Sequence, residues 1–281
     1  MQNIGIFVNR HRDPDLSATR TAVRALASRG VSVLLDEQLK SEPALDACFV
    51  SHAEMLERSD LIMALGGDGT ILQIIADAAE YDTPVMGINL GHLGFLTQAE
   101  KDDAEFFDKI LSGDFTVSRP MMLTATLHQS SGKTAQRNAL NDIILRGNGA
   151  KMISLEVEVN GTVTNRYLAD GIIVATSTGS TAYSLSCGGP IVHQALDCII
   201  LTPICPHTLK SRCIVIPPDA SVVLRFDPSY CLEADLKADG NPMAQLKPGD
   251  YVEITRAPIK APLVTLNDRN YFDVVRTKLS D

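Results

Sequence analysis

The chain has 281 residues, 45% of them hydrophobic and 21% charged, and carries a formal net charge of −9. That length exceeds what a single hydrophobic core usually organises, so two domains are expected, and the apolar content excludes a disordered chain. The acidic balance excludes sequence-independent binding to DNA or RNA, and it requires any phosphate-bearing ligand to be held by local groups: backbone amides, a metal ion or a few placed Lys and Arg.

In chain order, the first ~120 residues alternate short apolar runs with helical patterns, the sequence form of parallel strands joined by crossover helices. Residues 4–9 read as a strand, 16–28 as a helix ending before Gly30, and 31–35 as a second buried strand. The spacing over 43–59 predicts the next helix. Residues 61–65 form a continuous apolar run that ends in Gly66-Gly67-Asp68-Gly69-Thr70, and helical periodicity restarts over 71–79: strand, glycine loop, helix. Residues 84–89 repeat the pattern, with 90–95 (LGHLGF) as their loop and a helix over about 102–111. Beyond Arg119-Pro120 the texture changes to β-branched, alternating segments such as 155–159 (LEVEV). Asn160-Gly161 and Asp239-Gly240 are hairpin signals, and residues 271–279 read as a short terminal helix. The expected organisation is therefore an α/β domain over 1–120, with a Rossmann-like parallel sheet carrying the glycine loop, and a β-rich domain over 121–256. The segment 257–281 follows them. Six cysteines include no CxxC pair, so they read as reduced thiols. The opening MQNIGIFVNR has no basic stretch leading into a long apolar one, and no run reaches the ~20 apolar residues of a membrane span. A cytoplasmic protein with no membrane partner is expected.

Glycines after a strand let backbone N–H groups approach phosphate oxygens, and the following helix adds positive potential at its first turn. A carboxylate in such a loop repels phosphate, so Asp68 suggests a base or a metal partner. The alternative is a tight turn in which Asp68 or Thr70 caps the helix. Neither GxxxxGK[ST] nor GxGxxG occurs, which removes P-loop enzymes and ordinary dinucleotide oxidoreductases by motif. A second constellation runs from Asp170-Gly171 through a strand over 172–175 into Thr176-Ser177-Thr178-Gly179-Ser180-Thr181-Ala182-Tyr183-Ser184. This hydroxyl-rich loop suits a polar ligand such as a nucleotide, or serves only to cap a helix. Asn141-Asp142 interrupts an apolar run, as an edge reader or as a polar strand edge. His92 and Phe95 offer stacking or edge contacts to a base, and His207 sits in a proline-bracketed loop. Arg137, Arg146, Lys151 and Arg166 gather in the β-rich part and are candidates for phosphate binding or plain surface charges.

Taken in order, GGDGT, NLGHLGFL, ND at 141–142, DGIIVATSTGSTAYSLSCGGP, LTPICPHTL and DG at 239–240 resemble the NAD kinase family, its bacterial members in particular, over residues 61–249. GGDGT is shared with sugar and lipid kinases; GSTAYS after DG, followed by PICPH, is far more specific. The resemblance implies an α/β domain and a β-rich domain with an NAD site between them, the last segment packing back on the first domain, and a homotetramer. It implies ATP and NAD as substrates, Mg²⁺ as cofactor with unknown ligands, and Asp68 acting as general base on the 2′-hydroxyl of the adenosine ribose. Gly67 and Gly69 would meet phosphates, Phe95 and Asn141 line the adenine side, and Asp142 contact ribose. Asp170 would approach the nicotinamide end, with Thr181, Ala182, Tyr183 and Ser186 bordering the dinucleotide and His92, Arg166 and His207 near it. The family usually carries Asn-Glu where this chain has Asn141-Asp142, one methylene shorter, and small polar residues with a proline where it has Lys210-Ser211-Arg212-Cys213. Two rival readings remain at this level: a sugar or lipid kinase with another acceptor, and a non-catalytic dinucleotide sensor.

Overall fold

The computed structural model describes residues 1–42, 45–91, 94–100, 105–149, 152–208, 210–266 and 271–279. The chain divides into two units, Met1–Arg119 with Ala261–Asp281, and Pro120–Lys260. The first unit begins with β1 (Asn3–Val8), α1 (Ser17–Ala27), β2 (Ser32–Asp36), β3 (Cys48–Val50), α2 (His52–Arg58) and β4 (Leu61–Gly66). It continues through α3 (Asp68–Glu80), β5 (Val85–Asn89), β6 (Thr97–Glu100), α4 (Glu105–Ser112) and β7 (Thr116–Ser118). The helix expected over 43–59 is corrected in its described part: β3 occupies Cys48–Val50, and only His52–Arg58 is helical. A three-residue strand at the sheet edge is too short to impose its own period, so the α2 spacing ran over it. Ser51 marks the true helix start, its hydroxyl accepting from the Glu54 N–H at 3.3 Å.

In the second unit, β8 (Met121–His128), β9 (Thr134–Ala139), β10 (Asp142–Gly147), β11 (Ile153–Val159) and β12 (Thr162–Ala169) precede β13 (Gly171–Thr176) and the one-turn helix α5 (Tyr183–Ser186). Then come β14 (Ile199–Ile204), β15 (Ile214–Ile216), β16 (Val222–Phe226), β17 (Ala234–Ala238), β18 (Asn241–Leu246) and β19 (Tyr251–Lys260). They form two six-stranded sheets, ordered β15-β14-β13-β10-β17-β18 and β12-β11-β16-β19-β8-β9. Alternation makes the core between them: along β8, Leu123, Ala125 and Leu127 point inward to join Ile143, Val174, Leu224 and Ile254, while Thr124 and Thr126 face out. Both expected hairpins form. Asn160-Gly161 and Asp239-Gly240 each place two consecutive residues at positive φ (50° and 78°, 49° and 75°), as two-residue turns that match the strand twist require.

The chain then returns to the first unit as β20 (Leu263–Thr265) and α6 (Tyr271–Leu279). The first unit's sheet is ordered β3-β2-β1-β4-β5-β20-β7, with β6 also on β5, and all its pairings are parallel except β20 with β7. Every residue of β4 is buried, as a parallel strand covered on both faces demands. Helix α1 lays Ala22, Val23 and Leu26 over one face, where Phe106 and Ile110 of α4 complete the layer and Val264 and Leu266 of the returning segment join it. Leu266 is 4% exposed, and its N–H donates to Gln98 Oε1 at 3.3 Å.

Because the returning segment fills this core, Leu266→Ala is expected to cost roughly 2–5 kcal/mol of stability. Urea unfolding followed by circular dichroism measures it; an unchanged midpoint contradicts an integral closing strand.

Candidate functional site

The sheet order of the first unit runs leftward from β1 through β2 to β3 and then resumes to the right of β1 with β4. The loops after β1 and β4 therefore part at their carboxyl ends and open a crevice, the usual ligand position in an open α/β sheet. A cavity of about 320 Å³ occupies it, lined by Asn9 and Arg12 after β1, Gly67, Asp68, Gly69, Thr70 and Gln73 after β4, and Gly94 and Lys278. The two loops are tied together. Asn9 Nδ2 donates to Thr70 Oγ1 at 3.1 Å, and Asp13, 2% exposed, accepts from the N–H groups of Ala18 and Thr19 and so fixes the start of α1. The side chains of Arg12 and Lys278 make no hydrogen bond or ion pair among the described residues, so two free cations face this crevice in a chain of net charge −9.

Asp68 opens α3, and its carboxylate turns back onto the segment before β6. Oδ2 accepts from the Phe95 N–H at 2.8 Å, and Oδ1 accepts from Leu96 and Thr97 at 3.0 and 3.2 Å. Oδ2 keeps one lone pair for an outside donor. The approach is so close that a Cβ on Gly94 would stand 1.9 Å from Oδ1, and one on Gly66 would stand 2.0 Å from Thr70 Oγ1. Gly67 and Gly69 differ: nothing lies within 4 Å of a Cβ added to either. Neither has a positive φ, and glycine inside α3 costs about 1 kcal/mol against alanine. Nothing among the described residues requires these two glycines, which leaves close backbone approach by a ligand as their physical use. Phe95 is half-buried beside this anchor, and His92 lies outside the described residues.

In the second unit, Asn141-Asp142 at the start of β10 and the loop after β13 are neighbours. Thr176 N–H donates to Asn141 O at 2.9 Å, Thr176 Oγ1 donates to Leu140 O at 2.6 Å, and a Cβ on Gly179 would sit 2.0 Å from Asn141 O. The hydroxyl-rich loop is a 3₁₀ turn over Thr178–Thr181 followed by α5, and its hydroxyls divide into two sets. Ser180 bonds to Ser177 O and to Val192, and Ser184 bonds to Thr202 Oγ1, so these are structural. Asn141 Oδ1, Ser177 Oγ and Thr178 Oγ1 are buried with no partner among the described residues, and their residues are 7%, 1% and 3% exposed. Three orphaned polar atoms in one neighbourhood cost stability unless a ligand satisfies them. The sequence points to the loop as a whole but does not separate Ser177 and Thr178 from its other hydroxyls, because hydroxyls that cap and hydroxyls that wait for a ligand look alike there.

Beneath this loop, the Asp239 carboxylate accepts from the N–H groups of Leu140, Asn141 and Asp142 at 2.8, 2.7 and 3.2 Å. Burial of this carboxylate pushes it up to about 6 against those three lowering bonds. Asp142, 4% exposed, is pushed up to about 7 by burial first and by the Asp239 charge second. The segments that carry Asp170 and His207 are tied by backbone bonds: Asp170 N–H donates to Ile204 O at 3.0 Å, and His207 N–H to Leu168 O at 2.8 Å. Thr181, Ala182 and Tyr183 are half-buried, and Ser186 is exposed. Arg166 is set apart. It lies on β12 in the other sheet and is paired with Glu156 at 2.7 and 2.9 Å; Arg137 bonds to Pro242 O, and Lys151 lies outside the described residues.

Among the described residues no helix is long and apolar enough to cross a membrane, and no group of three or more His, Cys, Asp or Glu is arranged to hold a metal ion. The sequence matches two family models, ATP-NAD kinase N-terminal domain over residues 4–115 and ATP-NAD kinase C-terminal domain over 140–266. An NAD kinase of Symbiobacterium thermophilum is 40% identical, covering 100% of this chain and 99% of its own length. One of Geotalea daltonii is 37% identical, covering 99% and 98%. Among solved structures, a yeast NADH kinase complexed with NADH superposes with a TM-score of 0.83 at 26% identity, over 99% of this chain and 87% of that one. An NAD kinase from Archaeoglobus fulgidus in complex with ATP gives 0.75 at 26%, over 99% and 97%.

Two outcomes follow from this geometry. Gly94→Ala leaves the Asp68 carboxylate in place chemically but drives a methyl into it, so stability should fall by about 1–3 kcal/mol and activity should fall with it; a melt and a turnover assay at wild-type level would contradict the anchor. For Asp142, a folded pKa above the unfolded value near 4 means that the native state holds a proton the unfolded chain has lost. Its contribution to stability is therefore lost as pH rises from about 4 to about 7, on the order of 4 kcal/mol. Asp142→Asn should flatten that decline, as urea titrations at pH 5 and pH 8 would show, and an identical slope in the variant would contradict it.

Proposed function

The chain belongs to the ATP-NAD kinase family and has that family's enzymatic activity, and from this premise we propose that Asp68 is the general base that activates the 2′-hydroxyl of the adenosine ribose of NAD for attack on the γ-phosphorus of ATP. The observation that carries the reading is the fixed carboxylate: three amides hold it rigid beside two glycines open to a ligand, and one lone pair of Oδ2 stays uncommitted. The acceptor hydroxyl donates to that oxygen, loses its proton there as the new O–P bond forms, and the leaving group is ADP. In phosphoryl transfer of this kind, positioning and electrostatics carry most of the rate, so a base held in place by its surroundings matters more than a strong one.

The phosphates of the donor meet the amides of Gly67 and Gly69 and the cations Arg12 and Lys278. A phosphate site of this kind suits Mg²⁺ carried in on a triphosphate, which keeps phosphate and water ligands. The ion would be held by the phosphate oxygens and water and would supply neutralisation of phosphate charge, while the one open lone pair of Asp68 is kept for the acceptor hydroxyl. In the second unit, Asn141 Oδ1, Ser177 Oγ and Thr178 Oγ1 are assigned to reading the dinucleotide, since a bound adenosine would satisfy atoms that are otherwise orphaned. Asp142 is assigned to its ribose, with Phe95, Thr181, Ala182, Tyr183 and Ser186 as bordering groups and Asp170 and His207 towards the nicotinamide end. The same reading gives a homotetramer. The family match displaces both the sugar or lipid kinase reading and the sensor reading.

Asp68→Asn is expected to lower turnover by at least ~10²-fold, measured as NADP formed per folded protein at a temperature below the variant's melting point. Near-wild-type turnover in the folded variant would sink the base assignment.

A further inference from the structure

We propose that Cys187 and Cys213 are a reversible oxidation site: hydrogen peroxide joins them in a disulfide, and that bond weakens the hold of α5 on NAD. The coupling to NAD rests on the reading of Tyr183 and Ser186 as groups that border the dinucleotide; the site itself does not. All six cysteines of the chain are free thiols. Cys198 and Cys231 are buried, and Cys48 belongs to the first unit. Cys187, Cys205 and Cys213 remain, partly or fully exposed in the second unit, where a small oxidant reaches them.

The fold brings two of these three together. Cys187 follows directly on α5, and its N–H donates to Tyr183 O at 3.2 Å. Cys213 stands one residue before β15, where Ile214 pairs with Leu201 of β14, so its neighbour across the ladder is Thr202. Thr202 is also where α5 docks, since its Oγ1 bonds with Ser184 Oγ at 2.8 Å. The two segments meet at the following residue: Cys213 Sγ donates to Gly188 O at 3.4 Å, one peptide unit from Cys187. A disulfide needs Cα atoms about 4.4–6.8 Å apart, and a thiol that touches the adjoining carbonyl is within reach of that geometry.

The two sulfurs play different parts. Burial first, and then the charge of Cys205, push the Cys187 thiol up, while the Tyr183 hydroxyl beside it acts in the opposite sense. Cys187 therefore stays protonated, and Cys213 is the sulfur that peroxide meets first. Its thiolate attacks the O–O bond; an S–O bond forms, the O–O bond breaks, and hydroxide leaves as water after taking a proton. Cys187 then attacks that sulfur: the S–S bond forms, the S–O bond breaks, and the departing hydroxide carries off the Cys187 proton. Two thiols and one peroxide thus give one disulfide and two waters. The new bond ends the contact of Cys213 with Gly188 O and draws the Cys187 side chain away from Tyr183. Helix α5 is a single turn, too short for cooperative hydrogen bonding to resist that pull.

The test is Cys213→Ser, whose hydroxyl can keep the bond to Gly188 O. Wild type and variant are treated with hydrogen peroxide; intact mass and non-reducing peptide mapping read the bond, and turnover against NAD and against Mg-ATP reads its effect. Wild type should lose two hydrogens, yield a peptide joining Cys187 to Cys213, and show a KM for NAD raised roughly 3- to 10-fold, the scale of one hydrogen bond. Its KM for ATP should stay unchanged, and dithiothreitol should restore the starting value. Untreated Cys213→Ser should match wild type, and after peroxide it should show neither the cross-link nor the KM change; Cys205→Ser should respond as wild type does. A cross-link through Cys205, a bond between two chains, or no disulfide at all overturns the site. The Cys187–Cys213 bond with an unchanged KM for NAD overturns the coupling to the dinucleotide. Turnover of Asp68→Asn is measured in reduced protein, so the base assignment and this site fail separately.

Discussion

Three backbone N–H groups converge on the carboxylate of Asp68, and the first unit's site is arranged around that convergence. The bonds run from residues 95–97 to a residue 27 to 29 positions earlier, so they exist only once β4 and β5 have paired and set their loops side by side. Charge-assisted bonds of this kind are about twice as strong as neutral ones, and they fix a side chain that would otherwise rotate at the first turn of α3. Gly94 and Gly66 follow from it, since a side chain on either would occupy space the anchor or Thr70 needs. The tie from Asn9 to Thr70 extends the same rigidity to the loop after β1.

The second unit uses the same device with a different residue. Asp239, in a hairpin turn, binds three consecutive amides from Leu140 to Asp142 and so holds the strand entrance on which Asn141 and Asp142 are displayed. The cost is electrostatic. Two carboxylates share an enclosed space, and burial raises both, Asp142 to about 7 and Asp239 to about 6. Asp142 is 4% exposed and lies beside the Asp239 charge, which explains why its ionisation is disfavoured.

Much of this was legible in the sequence, and the limits have physical causes. The strand, glycine loop and helix around Asp68 show plainly because β4 is an unbroken apolar run, and both hairpins show because Asn-Gly and Asp-Gly suit two positive φ angles. Strand β3 was hidden because three residues at an edge carry no period. Asp239 was visible only as a turn residue, since its bonds span almost 100 positions. Asn9, Arg12 and Lys278 were missed for the same reason: only the reversal of strand order at β1 brings residues 9–12, 67–73 and 278 to one crevice. Arg166, which did attract attention as a basic residue, is occupied by Glu156. Charge alone does not distinguish a committed cation from a free one.

The central claim is that the anchored carboxylate presents its one free lone pair to the acceptor alcohol. A crystal structure with NAD and a non-hydrolysable ATP analogue bound tests it most directly. The account predicts Asp68 Oδ2 within about 2.6–3.2 Å of the adenosine 2′-oxygen, with the amide bonds of residues 95–97 intact. A 2′-oxygen held by some other base, with the Asp68 carboxylate turned away, would contradict it.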